Sequence, residues 1–99
     1  MLYDGAHRFL FQAAHAMRSG DISLMNNRMQ RAEAIIAELR QTLNHEKGGE
    51  IAGRLEAIYA FCQHHLLEAR LKHDPARIEQ VMKLLGELRE AWDQIAAQS

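Results

Sequence analysis

Apolar residues recur along this chain at spacings of three and four, and three interruptions divide the pattern into four amphipathic helices. The interruptions are Ser19-Gly20-Asp21, the stretch from Asn44 to Glu50, and Asp74-Pro75. They leave segments 2–18, 22–44, 50–73 and 75–97. In the first, Leu2, Ala6, Phe9, Ala13 and Ala16 form the inward stripe, widened by Leu10 and Met17. In the second, Ile22, Met25, Met29, Ala32, Ile36, Leu39 and Leu43 alternate steps of three and four. That is the seam of a helix lying nearly parallel to its neighbours. The third is expected to bury Ile51, Leu55, Ile58, Tyr59, Cys62, Leu66 and Ala69, and the fourth Ile78, Val81, Leu85, Leu88, Trp92 and Ile95.

Short links between such helices favour an all-α, antiparallel up-down four-helix bundle, one domain over residues 1–99. β-Branched residues are few and no stretch alternates with period two, so no strand is expected. Asp21 and Asp74 stand where the second and fourth helices need N-caps, with Pro75 suited to a first turn. Gly20 and Gly48 stand where the first and second helices should end. The first helix opens on Met1 with apolar residues and no capping side chain, so its first turn reads as cut from something upstream.

Composition narrows the function. At 99 residues, 47% hydrophobic and 25% charged, the chain has the make-up of one globular domain and not of a disordered one. Twelve basic and 13 acidic residues leave a net charge of −1, so no field of one sign draws in nucleic acid or anionic lipid. No apolar run reaches the ~20 residues that span a bilayer, and no signal-peptide pattern is read at the start. With a single cysteine, Cys62, no internal disulfide forms, and a cytoplasmic protein is expected.

Candidate chemistry is sparse. A metal-dependent bundle oxidoreductase would carry Glu-x-x-His on two helices, and no such pair occurs among the six histidines. His7 and His15 flank Phe11 on the face opposite the core, while His64 and His65 precede Glu68 by four and three, as charge pairs on solvated faces do. Cys62 falls on the inward seam between Ile58 and Leu66, the place of a small apolar filler rather than a reactive thiol. Gly48-Gly49 lacks the strand and lysine of a phosphate loop. Glu87 and Glu90 stand near Arg89 on a polar face. No catalytic residue, metal ligand or cofactor is expected. More telling are Ala60, Leu67 and Leu71, which project nearly opposite the third helix's core, and Phe11, which does the same on the first. Singly such residues are ordinary; as a set they suggest a contact surface.

The order of several short motifs resembles one family. These are Met1-Leu2-Tyr3-Asp4-Gly5-Ala6 with Arg8-Phe9-Leu10, then Asn27 and the run from Ala32 to Leu39. Further on come the run from Glu46 to Ala52 with Leu55, then Ile58-Tyr59, Leu66-Leu67-Glu68-Ala69, Lys72-His73-Asp74, and Glu87 to Trp92. In order and spacing they are similar to the flagellar secretion chaperone family (FliS), over essentially the whole chain. Phe61 stands where members usually carry a second tyrosine, His64 and His65 where they carry two arginines, and Arg70 where they carry asparagine. The few dozen residues that precede this point in members are missing, which fits a truncated chain, a mis-assigned start or a degenerate copy alike.

The resemblance implies a cytoplasmic export chaperone. It would hold the disordered C-terminal segment of flagellin as that segment folds into helices around the bundle, prevent early polymerisation and deliver the subunit to export-gate components. Partner contacts are expected at Tyr3, Leu10, Phe11, Ala60, Phe61, Leu67 and Leu71. A helical dimerisation or regulatory module and, further off, the bundle oxidoreductase are the competing readings. In the family the N-terminal segment covers an apolar groove. Its absence leads to an expected homodimer, or an aggregation-prone protein, with Tyr3 and Leu10 partly buried between chains.

Overall fold

Four helices emerge in the computed structural model, which describes the backbone of residues 2–98 and the side chains of residues 2–91. They are α1 (Leu2–Ser19), α2 (Ile22–Gln41), α3 (His45–Lys72) and α4 (Pro75–Gln98). Among the described residues there is no strand.

The links explain the boundaries. Gly20 takes φ 81°, a left-handed conformation that glycine adopts without steric cost, and Asp21 then accepts a hydrogen bond from the Leu24 amide at 3.1 Å to cap α2. Asp74 caps α4 by accepting from the Ala76 amide, also at 3.1 Å. The residue before it, His73, closes α3 in the left-handed region at φ 54°, its amide donating to the Ala69 carbonyl. Its ring Nε2–H donates to the Met17 carbonyl at 3.2 Å, which ties the α3–α4 turn to the end of α1.

The α2–α3 link departs from expectation. α2 stops at Gln41 instead of residue 44: the Thr42 hydroxyl donates to the Leu39 carbonyl at 3.0 Å, and the Leu43 amide turns from that carbonyl to the Arg40 carbonyl at 3.4 Å, leaving the helical ladder. Gly48 therefore does not end α2. Asn44 caps a new turn by accepting from the Lys47 amide at 3.0 Å, and Gly49, at φ 51° and ψ −122°, breaks that turn from the long run of α3 that follows.

α1 and α3 each pack against both α2 and α4, so α1 and α3 lie on one diagonal of the bundle. Ion pairs and hydrogen bonds set the directions. Arg18 late in α1 meets Glu79 early in α4, whereas Asp4 early in α1 meets Arg89 late in α4. Between α2 and α3, Glu33 pairs with Arg70 and Arg40 donates to Gln63; between α3 and α4, His65 meets Gln80 and Glu68 meets Arg77. Each set is antiparallel, and the bundle measures 44 × 23 × 18 Å.

The core runs the length of this bundle. Leu10, Met17, Met29, Ile36, Cys62, Leu66, Ile78, Val81 and Leu85 are fully buried, interleaved with Ala6, Ala13, Ala16, Ala32 and Ala69, whose small side chains let the helices approach closely. Each buried leucine or isoleucine contributes about 1.5–3 kcal/mol. Phe9, Leu39, Leu43, Ile58 and Leu88 are only partly buried against it. Leu2, Ile22 and Ile51, expected inward, are exposed. Leu2 and Ile22 open their helices, and Ile51 opens the run of α3 that follows the Gly49 break. Trp92 and Ile95 lie outside the described side chains.

Candidate partner-binding surface

α3 is polar on its two flanks and apolar between them. Toward α2 it carries Glu56, Gln63 and Arg70, held to Arg40 and Glu33. Toward α4 it carries His65 and Glu68. Glu68 is a hub: Arg77 lies at 2.8 Å, His64 at 3.0 Å and Lys72 at 3.3 Å. The hydrogen bond from Lys72 and the surrounding positive charges hold its carboxyl below the usual range. His64 thus pairs with Glu68 as expected. His65 does not; it donates to Gln80 and stacks on Phe61, with ring centroids 4.9 Å apart. The strip between these flanks holds Ala60, half-exposed Leu67, and Leu71, which is 75% exposed. Phe61, half-exposed, borders it on the α4 side.

The other predicted contacts lie elsewhere. Phe11 is 63% exposed on α1, the helix diagonal to α3, so it occupies the opposite side of the bundle. Leu10 is a correction: it is wholly buried, because one residue of helical rotation turns it from Phe11's outer face into the core. It therefore adds nothing to the outer surface of the bundle. Tyr3 is half-buried at the end of the bundle, where its phenol shares a hydrogen bond with the buried Tyr59 phenol. Burial first, and that bond second, push Tyr59 ionisation well above its ordinary value.

Beside the two tyrosines opens an apolar groove of about 330 Å³, walled by Leu39, Leu43, Ile51, Ala52 and Leu55. Sequence reading missed it by assigning Ile51 to the core. The signal was the Gly48-Gly49 break just before Ile51, which frees that turn from the seam. On the other side of Tyr3, between α1 and α4, a recess of about 350 Å³ is lined by Asp4, His7, Gly86, Arg89 and Glu90. Arg89 reaches across to Asp4 here.

Cys62 is buried, and desolvation pushes its thiol up to about 11, which makes it a packing group. Among the described residues no cluster of three or more His, Cys, Asp or Glu is arranged to hold a metal ion. No described helix is long and apolar enough to cross a membrane.

Residues 1–99, the whole chain, match the family described as Flagellar protein FliS. The chain is similar to the Flagellar secretion chaperone FliS of Vibrio cholerae, 38% identical over 95 residues that cover 96% of this chain and 70% of the relative. The protein of the same name from Salmonella typhimurium is 39% identical over 97 residues, covering 97% and 72%. That of Bacillus subtilis is 32% identical over 94 residues, covering 95% and 69%.

Proposed function

The chain belongs to the FliS family of flagellar proteins, and from that membership and its outer surface we propose that it is a cytoplasmic export chaperone for flagellin. It binds the disordered C-terminal segment of flagellin, prevents premature polymerisation and hands the subunit to export-gate components. Its work is binding, not catalysis. One observation carries this reading: the exposed apolar side chains lie on opposite sides of the bundle, Phe11 on α1 and Leu67 with Leu71 on the diagonal α3. A compact partner docked on one face reaches only one of these. A flexible segment that folds as it wraps reaches both, and the ordering it undergoes keeps affinity moderate enough for release. The groove beside Tyr3 and Tyr59 offers such a segment a third apolar anchor.

Calorimetric titration of a flagellin C-terminal peptide tests this. Leu67→Asp and Phe11→Asp are each expected to weaken binding about tenfold, the effect of losing one anchor of ~1.4 kcal/mol. Melting should scarcely change, since surface substitutions stay within ~0.5 kcal/mol. Absence of binding by the unaltered chain, or binding by both variants as tight as that of the unaltered chain, would refute the assignment.

A further inference from the structure

The outer strip of α3 has a pattern that a wrapping client does not require. Its exposed apolar residues extend backwards into a regular seam: Gly53, Ala57, Ala60, His64, Leu67 and Leu71 follow one another at spacings of four, three, four, three and four. That is the coiled-coil repeat, here on the face turned away from α3's own bundle. Gly53, Ala57, His64, Leu67 and Leu71 are exposed and Ala60 is half-exposed. Each α-helix of a bundle needs one seam; α3 has two.

The second seam is graded in size. Its first half holds glycine and two alanines, its second half two leucines, with His64 between. Reversed end for end, it fits itself. In an antiparallel pair of α3 helices related by a two-fold axis at the level of Cys62, Leu71 faces Gly53 of the second copy, Leu67 faces Ala57 and His64 faces Ala60. Large meets small in every layer, over about 27 Å of helix. The flanks agree in the same register. On the α4 side Arg54 meets Glu68 of the second copy, Glu50 meets Lys72, and Phe61 falls on the axis opposite itself. On the α2 side Glu56 meets Arg70, and Gln63 meets Gln63. Every charged flank position thus meets the opposite charge, beside the partner each already has in its own chain: Arg54 with Glu50, Lys72 with Glu68, Arg70 with Glu33 and Glu56 with Arg40. A parallel pair would set each residue against its own copy, leucine on leucine and like charge on like.

We infer that a second copy of this chain docks on the outer seam of α3, antiparallel and two-fold symmetric, through Gly53, Ala57, Ala60, His64, Leu67 and Leu71. The interface is isologous and closes at two copies. Exposed ion pairs contribute little affinity, so they fix direction and register, while the leucines entering the small-residue half supply the attraction. If the proposed function holds, the dimer also masks the α3 part of the flagellin surface, and client and second copy exclude one another there.

Sedimentation equilibrium of the full chain, over a wide concentration range, tests the dimer without reference to any client. The unaltered chain is expected to be a dimer that dissociates on dilution. Ala57→Glu and Leu71→Glu should each raise the dissociation constant at least about tenfold, with helical content and melting unchanged because neither side chain is in the core. Glu50→Lys and Lys72→Glu should each weaken the dimer about threefold, and the two together should restore it, a result that mere surface perturbation would not give. A chain that stays monomeric throughout, or a dimer indifferent to Ala57→Glu and Leu71→Glu, overturns the inference. Flagellin C-terminal peptide should convert the dimer to a one-to-one complex. A dimer that binds peptide and remains a dimer overturns the mutual exclusion. A peptide that binds no form of the chain overturns the proposed function and leaves the sedimentation result standing.

Discussion

The two ends of the bundle are built differently. At the turn end, two short links meet: Gly20-Asp21 between α1 and α2, and His73-Asp74 between α3 and α4. Both aspartates cap, His73 bonds to the Met17 carbonyl, and Arg18 grips Glu79 through two nitrogens at 2.7 and 3.1 Å. Arg77 joins Asp74 to Glu68 across the same turn. At the other end α2 stops early, a glycine breaks α3, Ile51 is 64% exposed, and an apolar groove opens beside Tyr3 and Tyr59. The turn end uses its polar groups to fix backbone; the groove end leaves apolar surface unfilled. Fold stability and the apolar groove therefore occupy separate parts of a small protein, and substitutions should separate them.

Core truncation gives the largest contrast. Ile78 is wholly buried near the turn end, whereas Leu43 is only partly buried at the groove. Ile78→Ala is expected to destabilise by about 2–5 kcal/mol, and Leu43→Ala by roughly 1 kcal/mol because it leaves no closed cavity. Urea unfolding midpoints measure both, and equal losses would erase the distinction between the ends.

Alkaline pH comes next. Folding raises the ionisation of both Tyr59 and Cys62, so the native state holds these protons more tightly than the unfolded chain. The stability they supply is complete below the unfolded values, about 9 for the thiol and about 10 for the phenol, and is lost as pH rises through the window above them. Each group held protonated contributes a slope of about 1.4 kcal/mol per pH unit there. Tyr59→Phe and Cys62→Ala should each flatten the fall in unfolding free energy between pH 9 and pH 11, taken here as an approximate window. A double variant as alkali-sensitive as the unaltered chain would place the sensitivity elsewhere.

Most of this architecture was legible in the sequence. The inward stripes of α3 and α4 from Leu55 to Leu85 emerged as read save for Ile58, which is only partly buried, because periodicity in the middle of a helix leaves one face for the core. Asp21 and Asp74 were legible as caps, because an aspartate at a break before an apolar run has one good use. The misreadings cluster at helix starts. Leu2, Ile22 and Ile51 continue the seams in sequence but are exposed at the ends of the bundle. Leu10 was placed both in the core and on the surface, and packing against α2 and α4 put it inside. The surface residues Phe11, Leu67 and Leu71 were found by elimination, as apolar side chains their own core does not use, whereas Phe61 came in with the resemblance. What one dimension could not give is their division between two diagonal helices, since that follows from which helices are neighbours.

Glycine supplies the smallest and most discriminating test of the two ends. Gly20 at the turn end holds φ 81°, where any Cβ is strained whatever the space around it, and the caps of both α1 and α2 follow from that conformation. Gly86 lies inside α4 and lines the recess beside Tyr3; a Cβ built there meets nothing within 4 Å, and its backbone is helical. The fold needs the first glycine and not the second. Gly20→Ala is expected to destabilise by about 1 kcal/mol, whereas Gly86→Ala should stabilise by roughly 0.5–1 kcal/mol by lowering the entropy of the unfolded chain. The two substitutions are chemically identical, so any opposite sign in their urea midpoints comes from backbone conformation alone. A loss of stability in both would mean that α4 near the recess is under a constraint as strict as that of the turn end, and the contrast between the ends would fail at its most sensitive point.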